Sequence, residues 1–341
     1  MRVVVTGGCG FIGSHQVVVL LEAGHDVLII DDLSNSRCHV LDQVAAIAGR
    51  SPEFAHLNIL ETEEIHRVLS SFRPDAMLHF AGMKHVAESR VRALDYHEAN
   101  VGGLLSVLRA AKETSLRKLV FSSSASIYGE TNALPIPETH PHNPSNPYSA
   151  SKSMGERVLG DLCSSEPDWS VIALRYFNPS GAHPSGLLGE DPMGPSKNLL
   201  PKLLQACVSP RPVASVCGDD FNTPDGSGVR DYIHVMDVVE THLLALDRLA
   251  HQHGFTALNV GRGEGTSVLE LISAVEQASG KTLEVEIGPR RPGDVSSLVG
   301  DTSKARQVLG PMTYRSIQEI CNDAWNWQRR STLGRATICN N

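Results

Sequence analysis

Tyr148 and Lys152 are the first residues of this sequence whose types and spacing could do chemistry. They stand four residues apart in the stretch NPYSASKSMGE, residues 146–156, and side chains at that spacing share one face of a helix. A tyrosine hydroxyl loses its proton near pH ~10, and a lysine one turn away would stabilise the phenolate and lower that pKa. Such a pair can act as general acid and base on an alcohol. Taken alone, the spacing equally fits a half-buried helical tyrosine.

Three consecutive serines, Ser122, Ser123 and Ser124, end the apolar stretch KLVFSSS. If that stretch is a parallel strand, its serines lie at the carboxyl edge of the sheet, where ligands bind. One of them could then bridge a substrate hydroxyl and Tyr148. The alternative is that these serines only end a strand.

A glycine triplet, Gly7, Gly10 and Gly13, lies between the first predicted strand and the first predicted helix. Glycines at this point let the backbone turn tightly and approach a pyrophosphate, and the helix N-terminus supplies N–H donors. The position of the triplet favours a dinucleotide site over a purely structural turn.

Asp31 ends the second predicted strand, 18 residues after Gly13. A carboxylate there accepts hydrogen bonds from the ribose hydroxyls of adenosine and would repel a 2′-phosphate. The sequence therefore favours NAD over NADP. Arg37 nearby is interpreted as a surface charge.

Short apolar strands alternate with amphipathic helices through the first half of the chain. In chain order the pattern predicts a strand at RVVVTG, a helix over residues 11–23, a strand at DVLIIDD, a helix at ETEEIHRVLSSF, a strand at AMLHFAG, one long helix over residues 94–113, a strand at KLVFSSS, a helix over residues 148–165 and a strand at SVIALRYF. Continuous apolar strands between helices are typical of a parallel sheet covered on both faces. The sequence therefore predicts an α/β fold with a Rossmann-type, doubly wound parallel sheet.

The pattern changes after residue 178. A loop rich in glycine and proline comes first. Shorter strands at VASVCG, ALNVG and LEVEIG then mix with helices near residues 235–250, 267–279 and 316–330. We expect three units: an NAD-binding domain over residues 1–178, a smaller mixed α/β substrate lobe over residues 179–330 that returns some chain to the first domain, and a flexible tail over residues 331–341.

Composition bears on partners and location. The net charge of −8 and the lack of a long basic run argue against a nucleic-acid partner. The longest apolar run, VVVLLEAGHDVLII, is broken by charged residues, so no membrane-spanning segment is expected.

Seven cysteines without a C-x-x-C spacing predict reduced thiols in a cytoplasm and no metal site. A strand that starts at the second residue leaves no room for a signal peptide.

The motifs G-x-x-G-x-x-G, S-S-S and Y-x-x-x-K, in this order, resemble those of the extended short-chain dehydrogenase/reductase superfamily. Within it, the segments MRVVVTGGCGFIGSH, HFAGMKHVAES, VFSSSASIYG, LRYFNPSGAHPSG and GVRDYIHVMD are similar to those of the UDP-glucose 4-epimerases. The resemblance implies an isomerase that interconverts UDP-glucose and UDP-galactose through a 4-keto intermediate, with tightly bound NAD. It also implies a homodimer formed through helices matching residues 94–113 and 148–165.

The resemblance further implies roles for individual residues. Tyr148 would take the proton of the sugar 4-hydroxyl with Ser124 relaying, and Lys152 would also bind the nicotinamide ribose. The residues implied to bind NAD are Gly7, Gly10, Phe11, Ile12, Gly13, Asp31, Asp32, Leu33, Asn35, Ser36, Asn58, Ile59, Phe80, Ala81, Gly82, Lys84, Ser122, Tyr148, Lys152, Tyr176 and Phe177. The residues implied to bind the UDP-sugar are Lys84, Ser124, Tyr148, Asn178, Asn198, Leu199, Cys217, Arg230, Tyr232, Arg291, Asp294 and Leu298.

The sequence departs from the family pattern at several of these positions. Asn58 replaces a common adenine-binding aspartate, Ala99 replaces an asparagine that touches the cofactor, and Cys217 replaces a phenylalanine that stacks on uracil. The implied substrate width depends on Leu298, where family members restricted to plain hexoses carry tyrosine and those accepting 2-acetamido sugars carry a smaller residue. Leucine is intermediate in size, so acceptance of UDP-GlcNAc and UDP-GalNAc stays open.

Three rival functions were weighed. A sugar-nucleotide 4,6-dehydratase would need a carboxylate pair after the active-site hydroxyl, whereas Ser124 is followed by Ala125 and Ser126. A non-catalytic NAD-binding regulator would typically lack the tyrosine or the lysine, and both are present. A reductase using free NADPH conflicts with Asp31.

Overall fold

The computed structural model describes residues 1–194, 196–291 and 294–338. The strands are β1 (Arg2–Thr6), β2 (Asp26–Asp31), β3 (Glu53–His56), β4 (Ala76–His79), β5 (Lys118–Ser124), β6 (Ser170–Tyr176), β7 (Asn178–Ser180), β8 (Val213–Cys217), β9 (Val229–Arg230), β10 (Tyr232–His234), β11 (Gly254–Val260), β12 (Thr266–Ser267), β13 (Glu284–Gly288) and β14 (Ser297–Leu298). The α-helices are α1 (Phe11–Glu22), α2 (His39–Ala48), α3 (Thr62–Phe72), α4 (Val86–Ser89), α5 (Ala93–His97), α6 (Gly103–Lys112), α7 (Pro147–Ser165), α8 (Leu199–Cys207), α9 (Val235–Arg248), α10 (Val268–Ser279), α11 (Ser303–Leu309) and α12 (Ile317–Ile338).

Seven strands form one parallel sheet in the order β11-β6-β5-β4-β1-β2-β3. Its central strands are continuous apolar runs because helices cover both faces; Val3, Val4 and Val5 of β1 are fully buried. The chain fills one side of β1 with β2 and β3, then crosses to the other side with β4. The predicted doubly wound α/β sheet is confirmed. Its carboxyl edge has a crevice between β1 and β4, where ligands bind in such sheets.

Two apolar layers hold the sheet between helices. On one face, α1, α2 and α9 bury residues such as Val17, Leu21 and Val238 in one cluster. On the other face, α3, α6 and α7 bury residues such as Leu69 and Leu159 in a second cluster. Helices packed on both faces of the sheet therefore hold in place the strand ends that carry the candidate site.

The structure differs from the sequence prediction in the first half at several places. Helix α2, edge strand β3 and the four-residue helix α4 were not predicted; β3 is short and only partly buried. The single helix expected over residues 94–113 is divided by a π-helix, Glu98–Gly102, that separates α5 from α6. The wider turn places the buried Asn100 side chain against the chain after β4, which the apolar periodicity of the segment did not indicate.

The chain after residue 178 forms a smaller apolar cluster of its own. It is built from α8, α10 and α12 around the two-stranded parallel pair β8–β13. Strand β11 instead joins the edge of the main sheet, and α9 packs on α1.

Helix α12 continues to Ile338, whereas the sequence predicted an irregular tail from residue 331. No proline interrupts this stretch, so the backbone can stay helical. Residues 339–341 of the predicted tail lie outside the described residues.

Within the described residues no helix is long and apolar enough to cross a membrane. Six cysteines there carry free thiols, and Cys339 lies outside that part of the chain. No group of three or more histidine, cysteine, aspartate or glutamate side chains is arranged to hold a metal ion in the same described ranges.

Candidate active site

The glycine turn after β1 leaves no room for side chains. Gly7 has a φ of +71°, and a Cβ there would lie 2.6 Å from the backbone nitrogen of Ala81. A Cβ on Gly13 would lie 2.1 Å from the Gly7 carbonyl oxygen. Gly10 begins α1 without any side-chain cap, so the first N–H groups of the helix stay available to an anion. Phe11 and Ile12 follow in the first turn of α1.

The loop after β2 forms the neighbouring part of the crevice. The Asp31 carboxylate, 8% exposed, accepts hydrogen bonds from the backbone N–H groups of Cys9 (2.9 Å) and Leu33 (2.9 Å) and from the Ser36 hydroxyl (3.2 Å). Burial raises the pKa of Asp31, and these hydrogen bonds oppose the rise. Asp31 thus ties the glycine turn to its own loop, in which Asn35 is exposed.

Asn58 and Ile59 follow β3, the next strand of the sheet. The Asn58 side-chain amide donates to the Asp32 carboxylate at 2.9 Å, and its side-chain oxygen accepts from Leu60 N–H at 2.9 Å. Although asparagine replaces the family's aspartate here, it is therefore joined to the loop that carries Asp31. Ile59 packs against Gly103 of α6.

The segment after β4 holds Phe80, Ala81, Gly82 and Lys84 on the other side of the crevice. Asn100 fixes it: its side-chain oxygen accepts from Met83 N–H at 2.7 Å and its amide donates to the Met83 carbonyl at 3.0 Å. Sequence reasoning missed Asn100, although the polar residue beside Ala99 in the predicted long helix was the available signal. Ala99 itself lies in the π-helix.

Lys84 and Asn198 come from distant parts of the chain and meet at one carboxylate, Glu190. The Lys84 ammonium lies 3.0 Å from Glu190 Oε1, and the Asn198 amide donates to the same oxygen at 2.9 Å. Glu190 was also missed, because it lies in the long loop that the sequence describes only as rich in glycine and proline. Leu199 begins α8 directly after Asn198.

The serines of β5 lie against the first turns of α7, as predicted from the strand end. Lys152, 6% exposed, donates from its ammonium to the Ser122 carbonyl at 2.8 Å. Tyr148 precedes it by one turn on the same face and is half-buried. The Ser124 hydroxyl is close enough to Tyr148 to lower the pKa of the phenol, and it lies 2.9 Å from the Ser126 hydroxyl. The structure therefore brings the three predicted catalytic residues together.

Electrostatics at this cluster differ from the expectation in one respect. Loss of water around the hydroxyl raises the pKa of Tyr148, while the Ser124 hydrogen bond lowers it by less. Burial also lowers the pKa of Lys152 to about 8. In the protein by itself, desolvation therefore outweighs the lowering of the Tyr148 pKa that was expected from Lys152, whose ammonium bonds to a carbonyl of β5.

Tyr176 ends β6 in register with Ser124, and Phe177 follows it. The Tyr176 hydroxyl lies 2.5 Å from His242 Nε2, so its polar end is already paired on α9. Phe177 belongs to a small apolar cluster that Leu298 contacts. Tyr176 and Phe177 therefore lie between the edge of the main sheet and the predicted sugar-nucleotide residues.

The predicted sugar-nucleotide residues lie on the short strands beyond this edge. Arg230 is paired in register with Leu298 on β14, and Asn178 with Tyr232. Burial lowers the pKa of Arg230, opposed by the charge of the nearby Asp294. Burial likewise raises the pKa of Tyr232 to about 12.

Cys217 and Arg291 also meet. The Arg291 Nε–H donates to the Cys217 sulfur at 3.1 Å, at the position where the family resemblance implied a stacking aromatic ring. The arginine is exposed, so its cationic end can still reach an anion. The structure thus joins Asn58 to Asp32, Lys84 to Asn198 through Glu190, and Cys217 to Arg291. The ligand contacts of all the predicted site residues remain predictions.

Known proteins are similar to this chain in sequence and in fold. The family model described as the NAD dependent epimerase/dehydratase family matches residues 3–261. The chain is 44% identical to a UDP-glucose 4-epimerase of Dictyostelium discoideum, over 98% of this chain and 97% of the relative. It is similar to a UDP-glucose-4-epimerase structure of Stenotrophomonas maltophila with bound NAD and formylated UDP-arabinopyranose (TM-score 0.96, 41% identity, 98% and 99% of the two chains covered). A Bifidobacterium longum UDP-glucose 4-epimerase in complex with NAD+ and UDP gives a TM-score of 0.93 at 40% identity, covering 98% of this chain and all of the other.

Proposed function

Because the chain belongs to the NAD dependent epimerase/dehydratase family, we propose that Tyr148, Lys152 and Ser124 carry out its chemistry, the 4-epimerisation of UDP-glucose. The enzyme is an isomerase that interconverts UDP-glucose and UDP-galactose and uses NAD. The observation that supports the residue roles is the meeting of Tyr148, Lys152 and the β5 serines at the same sheet edge as the glycine turn.

The residues at the crevice fit NAD. The glycine turn is a cradle that a Cβ on Gly7 or Gly13 would fill, and the uncapped start of α1 provides N–H donors for a pyrophosphate. Asp31 would hold the adenosine ribose, with Asn58 toward the adenine, and the Phe80–Lys84 segment would hold the other half of the cofactor. Bound NAD supplies a cationic hydride acceptor, and then donor, for carbon 4 of the sugar.

The chain's own residues move the proton. Tyr148 takes the proton of the sugar 4-hydroxyl as its phenolate and returns it when the opposite configuration forms, so no net proton is consumed. Ser124, hydrogen-bonded with the phenol, orients the 4-hydroxyl. Lys152, held by the Ser122 carbonyl, keeps a positive charge beside the phenolate below about pH 8.

The substrate side must hold a diphosphate while the sugar turns. Arg230 and Arg291 carry planar guanidinium groups that suit a diphosphate, and Arg230 lies in register with Leu298. The 4,6-dehydratase alternative gains no support here, because Ala125 is buried and Ser126 bonds to Ser124.

We also propose that 2-acetamido sugars are accepted. Leu298 packs on the cluster that contains Ala125, Ile127, Tyr128 and Phe177, and a leucine side chain is smaller than the tyrosine that the resemblance associates with plain hexoses. The ratio of kcat/KM for UDP-GlcNAc to kcat/KM for UDP-glucose measures this directly.

A homodimer is the oligomer we propose. Val91 and Leu94 are 82% and 83% exposed and Met154 on α7 is 47% exposed, so the surface of α5 and α7 presents apolar side chains to a second copy. A Leu94→Asp variant that sediments as a monomer would support this, and an unchanged assembly would contradict it. The free thiols support a reducing, cytoplasmic location.

The function is tested with purified protein in two measurements. An epimerase equilibrates UDP-glucose and UDP-galactose without added cofactor and releases close to one NAD per chain on denaturation. A non-catalytic NAD-binding regulator would release NAD but show no turnover. A reductase would need added cofactor for each turnover.

A further inference from the structure

A row of polar residues crosses three strands directly behind the candidate catalytic residues. Ser123 on β5 is in register with Arg175 on β6, and Arg175 is in register with Asn259 on β11. All three are buried, at 1%, 5% and 0% exposure. Polar side chains in a sheet interior need partners, so the groups that satisfy this row show what it is joined to.

Glu156 joins the row to α7, the helix that carries Tyr148 and Lys152. It stands on α7 one turn after Lys152 and two turns after Tyr148, and it is 4% exposed. Its carboxylate accepts from the Ser123 hydroxyl at 2.5 Å and from Arg175 at 2.9 Å (Nε) and 2.6 Å (a terminal nitrogen). Helix α7 is therefore bonded to β5 at Lys152 and at Glu156, so its position along the strand is defined.

Tyr128 joins the other end of the row. Its hydroxyl donates to Asn259 Oδ1 at 2.6 Å and accepts from Arg175 at 2.9 Å. The Tyr128 ring belongs to the same small apolar cluster that Leu298 contacts. Tyr128 thus bonds to the polar row and belongs to the cluster on which the predicted wall of the sugar pocket packs.

Asn259 extends the row to the backbone behind that wall. Its amide donates to the carbonyls of Ile136 (2.8 Å) and Asp301 (3.1 Å). Ile136 pairs in turn with the chain just after Leu298, donating to the Val299 carbonyl at 2.9 Å. Two further residues adjoin the row: His142 lies 2.9 Å from Arg175, and the Glu138 side chain accepts from Asn259 N–H at 2.8 Å.

We infer that Ser123, Glu156, Arg175, Tyr128 and Asn259 form a positioning network that sets the Tyr148 hydroxyl relative to the sugar-pocket wall at Leu298. None of the five needs to touch the reacting atoms. The network acts by holding α7 and β14 to the same three strands. The inference rests on the proposed role of Tyr148.

Two substitutions test the network without unpairing its buried charges. Removing Glu156 or Arg175 would leave a buried charge alone and endanger folding. Tyr128→Phe and Ser123→Ala each remove one hydroxyl and leave that ion pair intact. Tyr314→Phe is the control, because it removes a half-buried tyrosine hydroxyl whose neighbours, the Met312 sulfur and Arg306, lie outside the network.

We expect each network variant to lower kcat about 10-fold, because small misplacements of reacting groups are costly. The affinity for UDP should stay within about twofold, since the uridine and diphosphate contacts lie elsewhere. If the residues act as a unit, the double variant should be about as slow as either single variant. Tyr314→Phe should keep wild-type kcat.

Other results would overturn the inference. These are a kcat within about twofold of wild type for both variants, single effects that multiply in the double variant, or a UDP affinity that falls in parallel with kcat. Tyr148→Phe in the same assay separates a failure of the proposed catalytic role from a failure of the positioning network. An active Tyr148→Phe defeats the proposed catalytic role itself, whereas an inactive one beside a normal Tyr128→Phe defeats only the network.

Discussion

The two halves of the crevice are built in different ways. The cofactor half uses backbone and buried groups at the ends of long parallel strands, such as the Gly7–Ala81 approach and the 8%-exposed Asp31. The sugar-nucleotide half combines the buried Tyr232 with exposed side chains such as Arg291 and Asn198, carried by loops and by short strands. A resident cofactor suits a rigid cradle, whereas a substrate that enters and leaves needs side chains that can move.

The largest effect should come from the residue at the border of the two halves. Tyr148→Phe removes the oxygen that moves the proton, so kcat should fall by ~10²–10⁴-fold. NAD content and UDP affinity should be unchanged, because both halves remain intact. A variant that retains more than about a tenth of wild-type kcat would show that another group is the base.

The cofactor half of the crevice should tolerate an added methyl group poorly at its glycine turn. Gly13→Ala places a Cβ 2.1 Å from the Gly7 carbonyl oxygen and 2.9 Å from Gly8 Cα, so the turn must open. We expect NAD affinity to fall by at least ~10-fold and Tm to drop by several degrees. Gly160→Ala on α7 is the control, since its Cβ meets nothing within 4 Å and alanine favours a helix. Equal NAD retention by the two variants would contradict the description of the cradle.

A pH profile probes the lysine that supports the phenolate. Burial lowers the pKa of Lys152 to about 8, so the ammonium is charged below that pH and neutral above it. A reaction that needs the charge should therefore slow above pH 8, approaching tenfold per unit. Lys152→Met cannot titrate there, so it should be slow throughout and lack this limb. A wild-type rate that stays constant to pH 10 would remove the charge from the mechanism.

The smallest effect should come from a substitution in the sugar-nucleotide half of the crevice. Leu298→Tyr adds a ring to the pocket wall, and steric selection of this kind is worth ~1–3 kcal/mol. We expect kcat/KM for UDP-GlcNAc to fall relative to UDP-glucose, while turnover of UDP-glucose persists. If the wild type does not turn over the acetylated sugar, or the substitution leaves the ratio unchanged, Leu298 is not the gate.

Local pattern was sufficient for the regular half of the molecule. The strand–glycine–helix order around Gly10 and the apolar runs of β1, β2, β4, β5 and β6 follow from rules of period and turn chemistry, and the sheet they predict is confirmed. The pattern failed where tertiary contacts override it. Asn100 sits in a π-helix that breaks an otherwise helical apolar period, and the half-exposed β3 has almost no period of its own.

By itself, then, the sequence determined the α/β sheet, the dinucleotide turn, the preference for NAD and the presence of a tyrosine–lysine pair on one helix face. All of these depend on residues close together in the chain. Only the tertiary structure decided that Glu190 joins Lys84 to Asn198, that Glu156 bonds α7 to Ser123 and Arg175, and that burial shifts the Tyr148 and Lys152 pKa values. These contacts join segments far apart in sequence, and desolvation depends on everything that surrounds a group.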